Sequence, residues 1–245
     1  SKTLQTLDLS YGRHEHLDEG QEMTSAVLRI LSRNTSVTEL NIDIDVVKFA
    51  SVAFEELLTG TQTLQKLKIT GYAYEFYQLH TDAIASGFAN NTTLRDLKLS
   101  SWPAADLAPV LTALQRHPAL KKIHLSSAHS QNLPSLSGLE VLLRSQDSKV
   151  KELVLEQVDS RTVGLHPVLQ ELARNTTVTN LTIRDSVLSR ENAHQLQAAL
   201  RQNTALQYLD LTSSALGSAG LAEIAPALYR NTSIKTLNLS DNGLD

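Results

Sequence analysis

The residues best placed to do chemistry in this 245-residue chain are cationic and aromatic. Lys68, Lys98 and His124 recur at intervals of 30 and 26 residues, and Lys66, Asp96 and Lys122 recur at the same intervals two positions earlier. Arg95 and Lys121 lie beside them, and Asp96 is the one acid in the set. Acids flank the series, with Asp8, Glu39 and Asp43 before it and Glu152 and Glu156 after it. The segment Gly71-Tyr-Ala-Tyr-Glu-Phe-Tyr77 holds four of the chain's aromatic residues, and its only tryptophan follows in Ser101-Trp102-Pro103. Ammonium groups in a row suit carboxylates, and rings beside them suit a protein contact. The expected partner-binding residues are therefore Lys66, Lys68, Tyr72, Tyr74, Phe76, Lys98, Trp102, Lys122 and His124, facing a protein partner with acidic character. The competing reading is an ordinary solvated strand face, with the rings filling space inside the fold. Nucleic acid is not expected, because its binding grows with the number of phosphates neutralised and this patch is small and bounded by acid.

Nothing comparable points to catalysis. There is no Gly-rich phosphate loop, no HExxH and no GxSxG. His80, His117, His166 and His194 are scattered, and His14-Glu-His16 supplies two of the three or four ligands that a metal site needs. The absence of cysteine excludes disulfides, thiolate zinc sites and a thiol nucleophile. No enzyme activity, cofactor or metal is expected.

The intervals come from a repeat. An aliphatic residue, two others, an aliphatic, one variable residue and an aliphatic begin at Leu4, Val37, Leu64, Leu94, Leu120, Val150, Val178, Leu206 and Ile234. The spacings are 33, 27, 30, 26, 30, 28, 28 and 28 residues. The last copy, from Ile234 to Leu244, has the full form LxxLxLxxNxL. The inner alternation of period two predicts a short strand with one buried face. Between strands, Leu107/Val110/Leu111/Leu114, Leu165/Val168/Leu169/Leu172 and Leu221/Ile224/Ala225/Leu228 fall at i, i+3, i+4 and i+7, one apolar stripe per helix. Asn34, Asn91, Asn175, Asn203 and Asn231 stand three residues before the next anchor, where a left-handed residue would close the helix. Ser137-Gly-Leu-Glu140 has the form of a capping box, and Pro167 fits the first turn of its helix. One strand and one helix cannot bury their own apolar faces, but stacked copies can.

This period, with a full helix in each repeat, resembles the ribonuclease-inhibitor-like class of leucine-rich repeats across essentially the whole chain. The resemblance implies one right-handed α/β solenoid over residues 1–245, with a parallel sheet on the concave face and helices on the convex face. The Asn-Thr-x-Leu joints also resemble those of NOD-like receptors, tropomodulin and Ran GTPase-activating protein. That implies a protein-interaction scaffold, with two alternatives. One is a GTPase regulator using a rim arginine such as Arg13, Arg161 or Arg184; the other is the sensing segment of a receptor. One departure stands out. The turn Asn is present only at Asn242, and Gly12, Asp45, Tyr72, Trp102, Ala128, Val158, Ser186 and Ser214 hold the equivalent positions. Other groups are expected to satisfy those turns, with irregular loops in the middle repeats.

The net charge of −4 and 41% apolar content fit a folded domain without a general affinity for polyanions. No apolar run approaches the roughly 18 residues that span a membrane. Lack of cysteine points to a reducing, cytoplasmic setting. The N-x-[ST] sequons at Asn34, Asn90, Asn91, Asn175, Asn180, Asn231 and Asn238 leave an extracellular one open, although most coincide with the helix-to-strand joint. Neither end shows a polar capping unit and there is no initiator Met, so a segment of a longer protein is expected.

Overall fold

A computed structural model of the chain describes residues 3–10, 21–71, 80–102, 104–126, 136–158 and 165–244. Among these, nine strands form a single parallel sheet in sequence order: β1 (Thr6–Leu9), β2 (Glu39–Asp43), β3 (Lys66–Thr70), β4 (Asp96–Ser100), β5 (Lys122–Ser126), β6 (Glu152–Glu156), β7 (Asn180–Arg184), β8 (Tyr208–Asp210) and β9 (Thr236–Asn238). Helical segments connect them: α1 (Gln21–Ser32), α2 (Ile44–Phe49), α3 (Ser51–Gly60), α4 (Thr81–Asn90), α5 (Ala104–Ala113), α6 (Leu139–Arg144), α7 (Leu165–Leu172), α8 (Arg190–Gln202) and α9 (Gly217–Arg230). Each strand pairs only with its sequence neighbours, so the chain is an α/β solenoid.

The register follows the repeat without a slip. Leu7, Leu40, Leu67, Leu97, Ile123, Leu153, Leu181, Leu209 and Leu237 are paired in one column. From Leu40 to Leu209 each is at most 1% exposed. Burial of such a side chain contributes about 1.5–3 kcal/mol. The residues between them point to the other face of the sheet. Helical stripes close the core from behind: Leu165, Val168, Leu169 and Leu172 of α7 are all buried. Phe54 and Phe88 meet edge to face at 6.0 Å between α3 and α4.

The turns differ from expectation in two ways. The helix-to-strand asparagines are extended, with φ/ψ of −72/140° at Asn91, −71/128° at Asn203 and −73/130° at Asn231. Their side chains do the joining. Asn203 Nδ2 donates to Leu172 O at 2.6 Å and Asn175 O at 3.0 Å, while Oδ1 accepts from the N–H groups of Ala205 and Leu206. Asn91, Asn175 and Asn231 repeat the pattern, and Thr61 and His117 accept the equivalent backbone N–H groups in their repeats. The left-handed residue lies instead at the strand exit. Ser101, Gln157, Asp185, Ser213 and Asp241, each seven residues after an anchor, have φ of 53, 60, 51, 53 and 57°. There the chain turns out of the sheet, whereas β2 leaves directly into α2 at Ile44 without a left-handed residue.

At that second turn Asn242 Nδ2 donates to Leu211 O at 2.7 Å, and its Oδ1 accepts from Ser214 N and Leu216 N. In two of the repeats that lack the asparagine, a serine hydroxyl takes over part of this bonding. Ser214 Oγ donates to Ile183 O, and Ser186 Oγ accepts from Val158 N while donating to Arg184 O. The N-cap of α6 falls one residue later than the Ser137-Gly-Leu-Glu140 capping-box pattern places it. Gly138, at φ 89°, occupies the N-cap of α6 without a side-chain cap, and a Cβ there would come within 2.7 Å of Ala108 Cα. Pro167 does lie in the first turn of α7.

Candidate protein interface

Two side-chain columns run across the open sheet face. One is Asp8, Asn41, Lys68, Lys98, His124, Val154, Thr182, Asp210 and Asn238. The other is Thr6, Glu39, Lys66, Asp96, Lys122, Glu152, Asn180, Tyr208 and Thr236. Strands spaced about 4.8 Å apart make each column continuous, so Lys66, Lys68, Lys98, Lys122 and His124 do come together.

The strip is not the free positive surface that its residue types suggest. Lys66 reaches Glu39 at 3.6 Å, Lys122 reaches Glu152 at 2.7 Å, and Lys98 reaches Glu156 at 3.7 Å. His124 Nε2 lies 2.6 Å from Glu156 Oε2, and Arg184 Nε donates to Glu156 Oε1 at 2.6 Å, with its Nη2 on the same oxygen. Side chains three or four methylenes long reach the flanking acids across one or two strands, and residue types at fixed spacing do not reveal that reach. Lys68 is the exception. It is exposed and forms no ion pair among the described residues.

Two carboxyls shift in opposite senses. Burial opposes the charge of Glu156, but hydrogen bonds from His124 and Arg184, together with nearby Lys98, outweigh it and hold the carboxyl at about 2. Half-buried Asp96 is raised, because desolvation outweighs the attraction of Lys122 and Lys66. Lys98 is lowered by burial first and by Lys68 as well, although Glu156 acts the other way. The Lys98–Glu156 contact therefore does not make up for the burial of Lys98. The strong anchors of Glu156 are His124 and Arg184.

Trp102 is 6% exposed and belongs to the core, so it is not an available rim contact. Trp102 stands at the position of the missing turn Asn, with its ring in the core cluster. Tyr72, Tyr74 and Phe76 lie outside the described residues, as do Arg13, Arg161, the His14-Glu-His16 segment and most of the Ser126–Leu136 stretch. Arg184, the remaining rim arginine, is engaged by Glu156. Several sequons are structural: Asn91 and Asn175 are buried, and Nδ2 of Asn91, Asn175 and Asn231 is occupied by backbone carbonyls. No helix among the described residues is long and apolar enough to cross a membrane.

Sequence reasoning missed Glu156 as the hub of this face and treated it as a flanking acid. Its position two residues beyond the column of Lys98 and His124 was the available signal.

Comparison with known proteins adds the following. The family model described as Leucine Rich repeat matches residues 202–225 and 230–245. No curated protein matches the chain. Among solved structures, one titled Leiomodin-1 Actin-Binding Site 2 (ABS2) is 16% identical, with a TM-score of 0.41, covering 66% of this chain and 79% of that one. The tropomodulin C-terminal domain of Caenorhabditis elegans is 12% identical, with a TM-score of 0.27, covering 86% of this chain and 92% of that one. The segments matched by the family are the last two units of a repeat that the sheet register carries back unbroken to β1, and the described residues share one leucine-rich repeat architecture.

Proposed function

We propose that this chain is a protein-interaction scaffold whose sheet face receives acidic side chains of a partner beside Lys68 and Lys98. The observation that carries this reading is their register. Lys68 and Lys98 are directly paired on β3 and β4, and of the two only Lys98 has a carboxylate of the described residues at ion-pair distance, while Lys68 acts on Asp8 at longer range. Like charges opposed on neighbouring strands are destabilising, so a sheet shaped by stability alone would separate them or place an acid between them. A partner carboxylate relieves that repulsion, and the open face leaves room for one.

Lys68 is the clean position for a test. Lys98→Glu would set a second carboxylate against Glu156, and Lys98 is half-buried, whereas Lys68 is exposed. Lys68→Glu is expected to leave stability within about 0.5 kcal/mol of wild type, as surface substitutions usually do. Binding of a labelled Glu-rich peptide, read by fluorescence anisotropy, should weaken about tenfold in this variant and fall with added salt in wild type. Equal binding by both proteins would remove the acidic-partner reading.

A further inference from the structure

We infer that Lys98 is an anion subsite for a partner carboxylate, held in the free protein by Glu156, an internal competitor that His124 and Arg184 anchor. This rests on the acidic-partner reading and deepens it. The other pairs on this face are one to one: Lys66 with Glu39 and Lys122 with Glu152. Among the described residues, Glu156 alone gathers partners from three strands, with Arg184 on one oxygen and the His124 ring and Lys98 on the other. Two fixed positive charges thus share one negative charge, before any charge on His124.

The exposures of these groups differ in a useful way. The Glu156 and His124 side chains are 13% and 10% exposed, whereas those of Lys98 and Arg184 are 30% and 46% exposed. The acid is deep and the cations remain reachable. Lys98 is the weakest of the three contacts, at 3.7 Å, and it is the one beside Lys68. A carboxylate arriving at Lys68 therefore meets Lys98 next. It takes Lys98 from Glu156 while Arg184 and His124 continue to satisfy Glu156, so no buried charge is stranded. Glu156 competes with the partner for Lys98 and thereby sets how acidic a segment must be to bind.

The test compares four proteins against the same labelled Glu-rich peptide: wild type, Glu156→Gln, the double variant Glu156→Gln/Arg184→Gln, and Lys68→Glu. Glu156→Gln should bind about tenfold more tightly. The double variant removes one acid and one base, so its net charge equals that of wild type. It should still bind about threefold more tightly, because Lys98 is released. No gain in Glu156→Gln, or a gain that vanishes in the charge-neutral double variant, overturns the subsite. A circular dichroism melt checks folding, and if Glu156→Gln alone does not fold, the double variant decides. The two readings fail separately. Undiminished binding by Lys68→Glu removes the acidic-partner reading, whereas weakened binding there with no gain at Glu156 removes only the internal competitor. If wild type binds no peptide, binding by the double variant supports the subsite and its absence refutes it.

Discussion

Replacing Asn203 with leucine is expected to lower the free energy of unfolding by about 4 kcal/mol, a large share of the stability of an ordinary domain. The side chain is 3% exposed and joins three repeats through four bonds. Two carbonyls, from Leu172 and Asn175, lose a donor, and two N–H groups, from Ala205 and Leu206, lose an acceptor. Leucine has the same number of side-chain heavy atoms in the same branching and is larger, so no cavity opens and the penalty comes from the unpaired polar groups. Each buried group left unpaired costs about 1–3 kcal/mol, reduced where water can reach it. Two controls separate this from general sensitivity. Thr204, next in the chain, is exposed, and Thr204→Val should change stability by less than about 0.5 kcal/mol. Asn231 makes the same bonds but is only half-buried, so Asn231→Leu should cost less than Asn203→Leu. Urea unfolding measures all three. A loss under about 1 kcal/mol at Asn203 would mean that the joint is held by the helix and strand ladders alone.

This joint also shows where the sequence was legible and where it was not. The spacing of aliphatic residues reports burial directly, so the strand count, the register and both columns of the open face follow from it. The recurring asparagine was equally visible, but its role was not. Asn favours the left-handed region and also satisfies backbone groups with its side chain, and residue identity does not separate the two uses. The left-handed residues at the strand exits are Ser101, Gln157, Asp185, Ser213 and Asp241, and only the two aspartates are of a type that favours this region. The charged face divides the same way. Which residues share the face follows from period two, but which charges meet depends on side-chain reach across strands. Glu156 looked like a flank and is the hub. Trp102 looked like a contact and fills the core, because hydrophobic size alone does not distinguish a rim anchor from a space-filler.

Acid should lower the stability of this protein in two steps, the first from His117 and the second from Glu156. His117 stands where five other repeats place asparagine. Its Nδ1 accepts from Leu120 N at 3.1 Å and Ala119 N at 3.3 Å, and Nε2 lies 3.2 Å from Asn91 Oδ1. Accepting at Nδ1 and donating from Nε2 is the neutral tautomer, and burial pushes the imidazole down to about 4 from 6.5. Because the unfolded chain takes up this proton more readily, the contribution is complete above pH 6.5 and is lost as pH falls toward 4. The loss is about 3 kcal/mol. Glu156 follows at lower pH. Its folded carboxyl, at about 2, lies below the ordinary 4.5, so its stabilisation holds above 4.5 and disappears between 4.5 and 2, again by about 3 kcal/mol. Urea unfolding at pH 7.5, 5.5 and 4 resolves the first step, and an acid titration below pH 4.5 resolves the second. His117→Asn restores the residue used at the other joints. It should abolish the first step while keeping most of the stability at pH 7.5, since Asn accepts the same two N–H groups without titrating. Glu156→Gln should abolish only the second. If His117→Asn loses stability between pH 7.5 and 4 as steeply as wild type, the proton responsible binds elsewhere, and the neutral imidazole is not what holds the fifth joint closed.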